Sequence, residues 1–271
     1  MFSDRWAMAQ NPKTDLLRGL YQASLEQSRR RRENISLSAL TQAAERRQPV
    51  NPKDFFKSAE LSVIAEIKRA SPSKGFLAEI QDPLTLARVY ESAGASAISV
   101  LTEESGFNGR LEDLEVVSNG VNIPTLRKDF ISTEEQILEA KAAGASMILL
   151  IIMGLEKGLY SELFQFAKSQ NLEVLVETHS EAEIETALTQ DVSYLGINTR
   201  NLKTFETDIN LFGKLADMLP KDVTKIAESA VKGLADAELY RQHGADAVLV
   251  GEALVTGDAK SLIESFRLAN K

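Results

Sequence analysis

Ala93-Gly-Ala-Ser-Ala-Ile-Ser-Val-Leu101 joins a glycine to a short apolar run, and the chain uses the same device twice more, at Ala143-Gly-Ala-Ser-Met-Ile-Leu-Leu-Ile151 and at His243-Gly-Ala-Asp-Ala-Val-Leu-Val-Gly251. In each, a helical pattern ends on glycine, a small residue follows, and an apolar stretch of strand length comes next. Glycine is the usual residue just past a helix end because the left-handed backbone costs it little. Gly94 and Gly144 are two units of about 25 residues apart, and Gly144 and Gly244 are four such units apart.

Outward from these three anchors the alternation extends from Val63 to the end of the sequence. The patterning predicts strands over 63–67, 97–101, 123–127, 147–152, 173–177, 194–198, 224–228 and 247–250. It predicts helices over 83–93, 111–119, 133–143, 157–170, 180–189, 209–218, 233–242 and 259–269. Strands alternating with helices imply a parallel sheet. Eight pairs at a period of roughly 26 residues are most simply a closed (β/α)8 TIM barrel. The alternative, an open doubly wound sheet, is disfavoured because no G-x-G-x-x-G follows the first strand.

Ahead of the barrel, residues Met1 to about Pro12 carry no periodicity and are expected to be frayed. A helical pattern covers about Thr14 to Gln48, with Arg29-Arg-Arg-Arg32 inside it, read as a solvated face in preference to an electrostatic lip over an anion site. Pro49 and Pro52 end it, and Asp54-Phe-Phe-Lys57 reads as one short turn. The expected organisation is a single domain: residues 1–60 a helical extension, 61–271 the barrel.

The whole chain narrows the function. It has 271 residues, 44% of them hydrophobic, with no cysteine and a net charge of −8. No apolar run reaches the roughly 20 residues that span a bilayer, and no basic-then-apolar export signal opens the sequence. Thiol chemistry and cysteine zinc sites are excluded, and a cytoplasmic location is expected. The acidic balance argues against a general nucleic-acid binder, so an anionic ligand needs locally concentrated Lys and Arg.

In a (β/α)8 barrel the functional groups stand where strands end. The first strand leads into Glu66-Ile-Lys-Arg-Ala-Ser-Pro-Ser-Lys-Gly75, in which period-two alternation puts Ile64, Glu66 and Lys68 on one face and Val63, Ala65 and Ile67 on the other. The second leads to Thr102, Glu103 and a loop holding Phe107. The others end at Leu126-Arg-Lys-Asp-Phe130, Val176-Glu177, Gly196-Ile-Asn-Thr-Arg-Asn-Leu202, Ala227-Glu-Ser-Ala230 and Val250-Gly-Glu252. One charged strand end is unremarkable. Six at one mouth indicate a site, because buried charges need partners or a ligand.

Glu66-x-Lys68-x-x-Ser71-Pro-Ser-Lys-Gly, Leu126-Arg-Lys-Asp-Phe130, Val176-Glu177, Ile197-Asn-Thr-Arg-Asn-Leu202, Ala227-Glu-Ser229 and Val250-Gly-Glu-Ala-Leu254 together resemble the indole-3-glycerol phosphate synthases of tryptophan biosynthesis. The likeness runs in order from about residue 25 to the end. It implies a barrel with an extra N-terminal helical segment and a carbon–carbon carboxy-lyase. The implied reaction turns 1-(2-carboxyphenylamino)-1-deoxyribulose 5-phosphate into indole-3-glycerol phosphate, carbon dioxide and water, with no metal and no organic cofactor.

By the same resemblance Lys128 is the general acid for ring closure. Lys68 and Glu177 share the dehydration, with their acid and base roles open. Glu66 and Asn198 hold groups in place, Glu228 orients a lysine or a substrate hydroxyl, and Arg200 supports the site. Ser71, Ser229 and the backbone around Ala230, Gly251 and Glu252 should cradle the phosphate, the usual barrel location. Phe107, Leu126, Phe130, Leu202 and Leu249 should form the slot for the anthranilate ring. Lys68, Lys128 and Arg200 supply the local positive charge. The loop from Ser71 to Ile80 should be mobile and close over substrate.

Two positions depart from the family pattern. Ala230 stands where Glu-Ser-Gly is usual, which would strain the turn if that residue needs positive φ. Arg110 stands where serine is common and is expected to face solvent. Neither histidine counts as catalytic: His243 closes a helix before Gly244, and His179 falls on the face of Glu177 further out. The alternatives are a sister phosphate-binding barrel such as phosphoribosylanthranilate isomerase, disfavoured by the lack of a cysteine, and a non-catalytic sugar-phosphate-binding barrel. The expected partner is a small anionic substrate, with no nucleic acid or membrane, and the chain is expected to be a monomer.

Overall fold

The computed structural model of the chain describes residues 15–56, 59–201 and 206–269. The frayed start expected for Met1–Pro12, the placement of Lys57 and that of Leu202 lie outside them. Eight strands close a parallel barrel in chain order: β1 (Ser62–Ile67), β4 (Ala97–Leu101), β5 (Thr125–Lys128), β6 (Met147–Ile151), β7 (Glu173–Thr178), β8 (Tyr194–Asn198), β9 (Thr224–Glu228) and β10 (Ala247–Val250), which pairs back with β1. The remaining two, β2 (Ala70–Ser71) and β3 (Gly75–Phe76), form a small antiparallel hairpin in the loop after β1. Each predicted strand falls on a barrel strand. The third begins later than predicted, at Thr125, since Pro124 has no N–H to give to the ladder.

Helices α3 (Pro83–Ser92), α5 (Leu111–Ser118), α6 (Glu134–Ala142), α7 (Lys157–Ser169), α8 (Glu181–Ala187), α9 (Asn210–Ala216), α10 (Leu234–Gln242) and α12 (Ala259–Arg267) follow the strands as predicted. Two short helices were not legible: α4 (Glu104–Phe107), in the loop expected to carry Phe107, and α11 (Glu252–Thr256), which starts where β10 ends. Gly94, Gly144 and Gly244 all take the left-handed backbone, at φ 91, 90 and 89°. The next N–H in each case reaches back to the same helical carbonyl: Ala95 to Tyr90 at 3.0 Å, Ala145 to Ala140 at 2.9 Å, Ala245 to Tyr240 at 3.0 Å. These are Schellman closures, one structural unit copied three times.

Alternation decides which face of each strand meets which core. On β1, Val63, Ala65 and Ile67 join the apolar layer shared with the helices, while Ile64 enters a second cluster inside the barrel. Ile64, Leu126, Leu175 and Ile226, from alternate strands, belong to that inner cluster. Two residues further along the same strands stand Glu66, Lys128, Glu177 and Glu228, all on the inward face. Barrel interiors are filled by such layers of four from alternate strands. Here the layer at the C-terminal mouth is charged and the one beneath it is apolar.

The helical extension is two helices, α1 (Asp15–Arg32) and α2 (Leu37–Glu45), where the pattern suggested one. The break falls at Ser36, which N-caps α2 by accepting the Ala39 N–H at 3.1 Å. The four arginines form the last turn of α1, where cations suit the helix dipole. Arg29 and Arg30 are exposed, as a solvated face requires. Arg31 and Arg32 instead pair with Glu139 at 2.8 Å and Glu135 at 3.4 Å on α6, so half of the run is a clamp.

A buried polar network deepens that clamp. Arg127, fully buried, meets Asp129 at 2.9 Å and Glu139 at 3.2 Å. From α1, the Ser24 hydroxyl donates to Asp129 at 2.7 Å and the Ser28 hydroxyl to Glu139 at 3.0 Å. Burial works against both carboxylates, but Arg127 and these donors hold each below its usual range. Thus α1 is fastened to the strand end that carries Lys128.

Candidate active site

Lys128 ends β5, and its Nζ lies 2.8 Å from Glu177 Oε2 at the end of β7 and 2.9 Å from Glu228 Oε2 at the end of β9. Asn198, the last residue of β8, donates its Nδ2 to the other oxygen of Glu177 at 2.9 Å. Its Oδ1 accepts the Ser229 hydroxyl at 2.8 Å and the Arg200 N–H at 3.0 Å. Across the mouth, Lys68 Nζ is 2.7 Å from Glu66 Oε1. The face-sharing read from the Glu-x-Lys spacing is therefore an ion pair.

Lys128, Glu177 and Glu228 are largely removed from bulk water, and their protonation follows from their neighbours. For Lys128, burial opposes the charge, but Glu177, Glu228 and Glu66 outweigh it and keep the ammonium well above its ordinary range. For Glu177, burial favours the neutral acid, but Lys128 and then His179 hold the carboxyl well below its ordinary range. Glu228 goes the other way. Burial, with repulsion from Glu177, pushes it up to about 7 against the pull of Lys128. Its Oε1 is buried without a hydrogen-bond partner and sits against Gly196, where any side chain would collide with it.

The charges line a cavity of about 460 Å3, a size suited to a small molecule. One part of its wall is apolar: Phe107 and Phe130, with ring centroids 6.1 Å apart, Leu249 of β10, and Leu16, Leu17 and Leu20 from α1. Tyr21 of α1 packs edge-on against Phe130 at 5.5 Å, which braces the slot from behind. Another part is lined by Ser71, Ser229, Ala230, Gly251 and the start of α11 at Glu252. Ser229 and Ala230 both hold positive φ, 71 and 61°.

The comparisons with known proteins agree with one another. The family model described as indole-3-glycerol phosphate synthase matches residues 17–266. The chain belongs to that family. A synthase of that name from Leifsonia xyli subsp. xyli is 49% identical over 255 residues, 93% of this chain and 98% of its own. Another from Mycolicibacterium gilvum is 49% identical over 231 residues, 84% of this chain and 85% of its own. A solved structure titled "Native KDPGal structure" superposes with a TM-score of 0.56 at 16% identity, over 78% of this chain and 95% of that one, and speaks for the fold alone. The chain is accordingly a carboxy-lyase of tryptophan biosynthesis, with a small-molecule phosphate as substrate. The isomerase alternative falls. No helix among the described residues is long and apolar enough to cross a membrane.

The synthase cavity is lined by Glu66, Lys68, Ser71, Phe107, Lys128, Phe130, Glu177, Asn198, Arg200, Glu228, Ser229, Ala230, Leu249, Gly251 and Glu252, all named from the sequence. Leu126 is a correction. It is fully buried in the inner cluster, one layer deeper than Lys128, because two residues along a strand keep the face but change the depth. His179, which was not counted as catalytic, does not line the cavity; the strand ends at Thr178, and the imidazole Nε2 lies 3.3 Å from Glu177 Oε1. Arg110 is exposed, as expected, and His243 caps α10.

The leucines of α1 were missed as wall residues, as were Leu149 and Ile151 of β6. The latter two were findable as inward positions of the fourth barrel strand. Leu16, Leu17 and Leu20 showed only that α1 has an apolar face, and nothing in the sequence said what it covers.

Proposed function

We propose that the cavity carries out ring closure, decarboxylation and dehydration of 1-(2-carboxyphenylamino)-1-deoxyribulose 5-phosphate, with Lys128 as the general acid. The observation that carries this reading is the Lys128 ammonium held between Glu177 and Glu228, in a cavity with an aromatic slot in one part of its wall and an anion cradle in another. The anthranilate ring lies between Phe107, Phe130 and the α1 leucines. The phosphate lies against Ser71, Ser229 and the backbone of Ala230, Gly251 and Glu252.

In the first step the ring carbon that bears the carboxylate forms a bond to the ketone carbon, and the carbonyl electron pair moves onto oxygen. An alkoxide is a stronger base than an amine, so it takes a proton even from a stabilised ammonium, and the fixed positive charge lowers the barrier before transfer. Glu228, 2.9 Å from the same nitrogen and pushed up to about 7, is the neighbour best suited to pass a proton back to Lys128. Carbon dioxide then leaves, its bonding pair restoring the aromatic ring.

Dehydration expels the new hydroxyl as water and removes a proton from the five-membered ring. Glu177, held ionised, suits the base, which assigns the acid to Lys68 beside Glu66. Asn198 fixes the Glu177 carboxylate, and Arg200 supports the site from the end of β8. No metal or organic cofactor takes part in this reading. The enzyme acts as a cytoplasmic monomer, with the loop from Ser71 to Ile80 closing over substrate.

The test is a continuous indole-fluorescence assay on the full chain beside Lys128→Ala. Emission from the wild type, with at least about a hundredfold loss in the variant, is expected. Full activity in Lys128→Ala would sink the acid assignment, and silence from a folded wild type would sink catalysis altogether.

A further inference from the structure

His179 takes no part in the reaction just described and does not line the cavity, yet its imidazole stands between two carboxylates. Its side chain is 7% exposed. Nδ1 lies 3.1 Å from Glu183 Oε2 on α8, and the same oxygen accepts the His179 N–H at 2.9 Å. Nε2 lies 3.3 Å from Glu177 Oε1, within reach of charge attraction but without hydrogen-bond geometry, and that oxygen accepts the Asn198 amide at 2.9 Å. The other oxygen of Glu177 faces Lys128. The result is one line of alternating charge: Glu183, His179, Glu177, Lys128. The local sequence builds it simply, since His179 and Glu183 are four apart and Ser180 caps α8 between them.

We propose that His179 is a positioning residue: held by Glu183, it presents a second fixed cation to Glu177 and keeps that carboxylate ionised and oriented for the dehydration. A neutral side chain there would leave Lys128 as the only cation on Glu177. When Lys128 becomes a neutral amine in ring closure, Glu177 would then be a buried carboxylate with no cation beside it, and burial would raise its affinity for a proton before its own step. A cationic imidazole within 3.3 Å of the other carboxylate oxygen keeps the charge on Glu177 favourable while Lys128 is neutral, so Glu177 stays a base. The ionisable groups facing His179 are Glu177 from β7 and Glu183 from α8, with Lys128 beyond the Glu177 carboxylate. Both carboxylates stabilise the imidazolium against burial, up to about 9.

The inference rests on the assignment of Glu177 as base, and the experiment separates the two. Steady-state rates with the carboxyphenylamino-deoxyribulose phosphate are measured from pH 6 to 10 for wild type, His179→Gln, Glu183→Gln and Glu177→Gln. The expected result is a kcat for His179→Gln at least tenfold low at neutral pH, with KM little changed and the gap closing above pH 9. In Glu183→Gln the inflection near pH 9 moves down by a unit or more, and imidazole 15N shifts follow it. A pH-independent loss in folded His179→Gln, or no loss, overturns the proposal. If His179→Gln does not fold, an unmoved inflection and unmoved shifts in Glu183→Gln overturn it. Full activity in Glu177→Gln removes instead the assignment on which it rests, and the proposal with it.

Discussion

Gly251 stands directly against the Glu66 carboxylate: a Cβ at that position would overlap Glu66 Oε1 and come within 2.9 Å of Lys68 Nζ. The backbone there has negative φ, −123°, so the glycine serves close approach and not conformation. The residue that follows β10 thereby packs against the Glu66–Lys68 pair at the mouth of the cavity.

Gly251→Ala should therefore leave the barrel folded and displace the ion pair. A displacement of about 1 Å at a catalytic group costs on the order of a hundredfold in rate. The expected outcome is a kcat/KM reduced by about ten- to a hundredfold with an unchanged circular dichroism spectrum. Wild-type kinetics in the variant would show that the pair has room to move without consequence.

Ala230 is held at φ 61° directly after Ser229 at φ 71°. A left-handed conformation costs a non-glycine residue roughly 1–2 kcal/mol. Ala230→Gly should recover about 1 kcal/mol of this, a rise of about 2–4 °C in Tm for a domain of this size. KM for the phosphate substrate should fall as the cradle relaxes. Calorimetry and steady-state kinetics on the same preparation check both, and a variant with neither change would mean that the turn is not strained.

These two positions show where sequence reading stops. The barrel was legible because each helix–glycine–strand unit repeats its own local chemistry, and the charged mouth was legible because period two places every second residue on the same face. Depth was not: Leu126 and Lys128 share a face, but only the register of the closed barrel puts one in the core and the other in the cavity. Docking was not legible either. Leu16, Leu17 and Leu20 line the cavity because α1 is anchored by Ser24 and Ser28 to carboxylates more than 100 residues away in sequence. The partners of His179 were not legible, because they depend on where β7 ends and α8 begins. Ala230 was recognised as a departure, and its sign waited on φ.

That anchoring makes a prediction of its own. Asp129→Asn would leave Arg127, which is fully buried, with Glu139 as its remaining carboxylate partner, and would leave one acceptor oxygen where Ser24, Thr102, Arg127 and the Phe130 N–H now share two. Breaking a buried ion pair from one side costs about 3–5 kcal/mol, a fall of about 10 °C in Tm. Since Asp129 adjoins Lys128 and holds α1, proteolysis within α1 should accelerate alongside. Unchanged Tm and cleavage would mean that the hydrophobic face of α1 alone secures it.

The protonation of His179 ties stability to pH. Its folded pKa, pushed up to about 9, lies above the 6.5 of a free imidazole. The native state thus binds the proton more tightly, and the stabilisation is fully present below pH 6.5 and lost as pH rises through 9. The size is on the order of 3 kcal/mol. Glu228, raised to about 7, titrates in a lower window and is present in both wild type and His179→Gln. The depressed carboxyl of Glu177 acts lower still. The stability difference between wild type and His179→Gln, measured by urea unfolding, should therefore be flat from pH 5.5 to 6.5 and shrink by about 3 kcal/mol towards pH 10. A difference that stays constant across that range would mean that His179 is neutral in the folded protein.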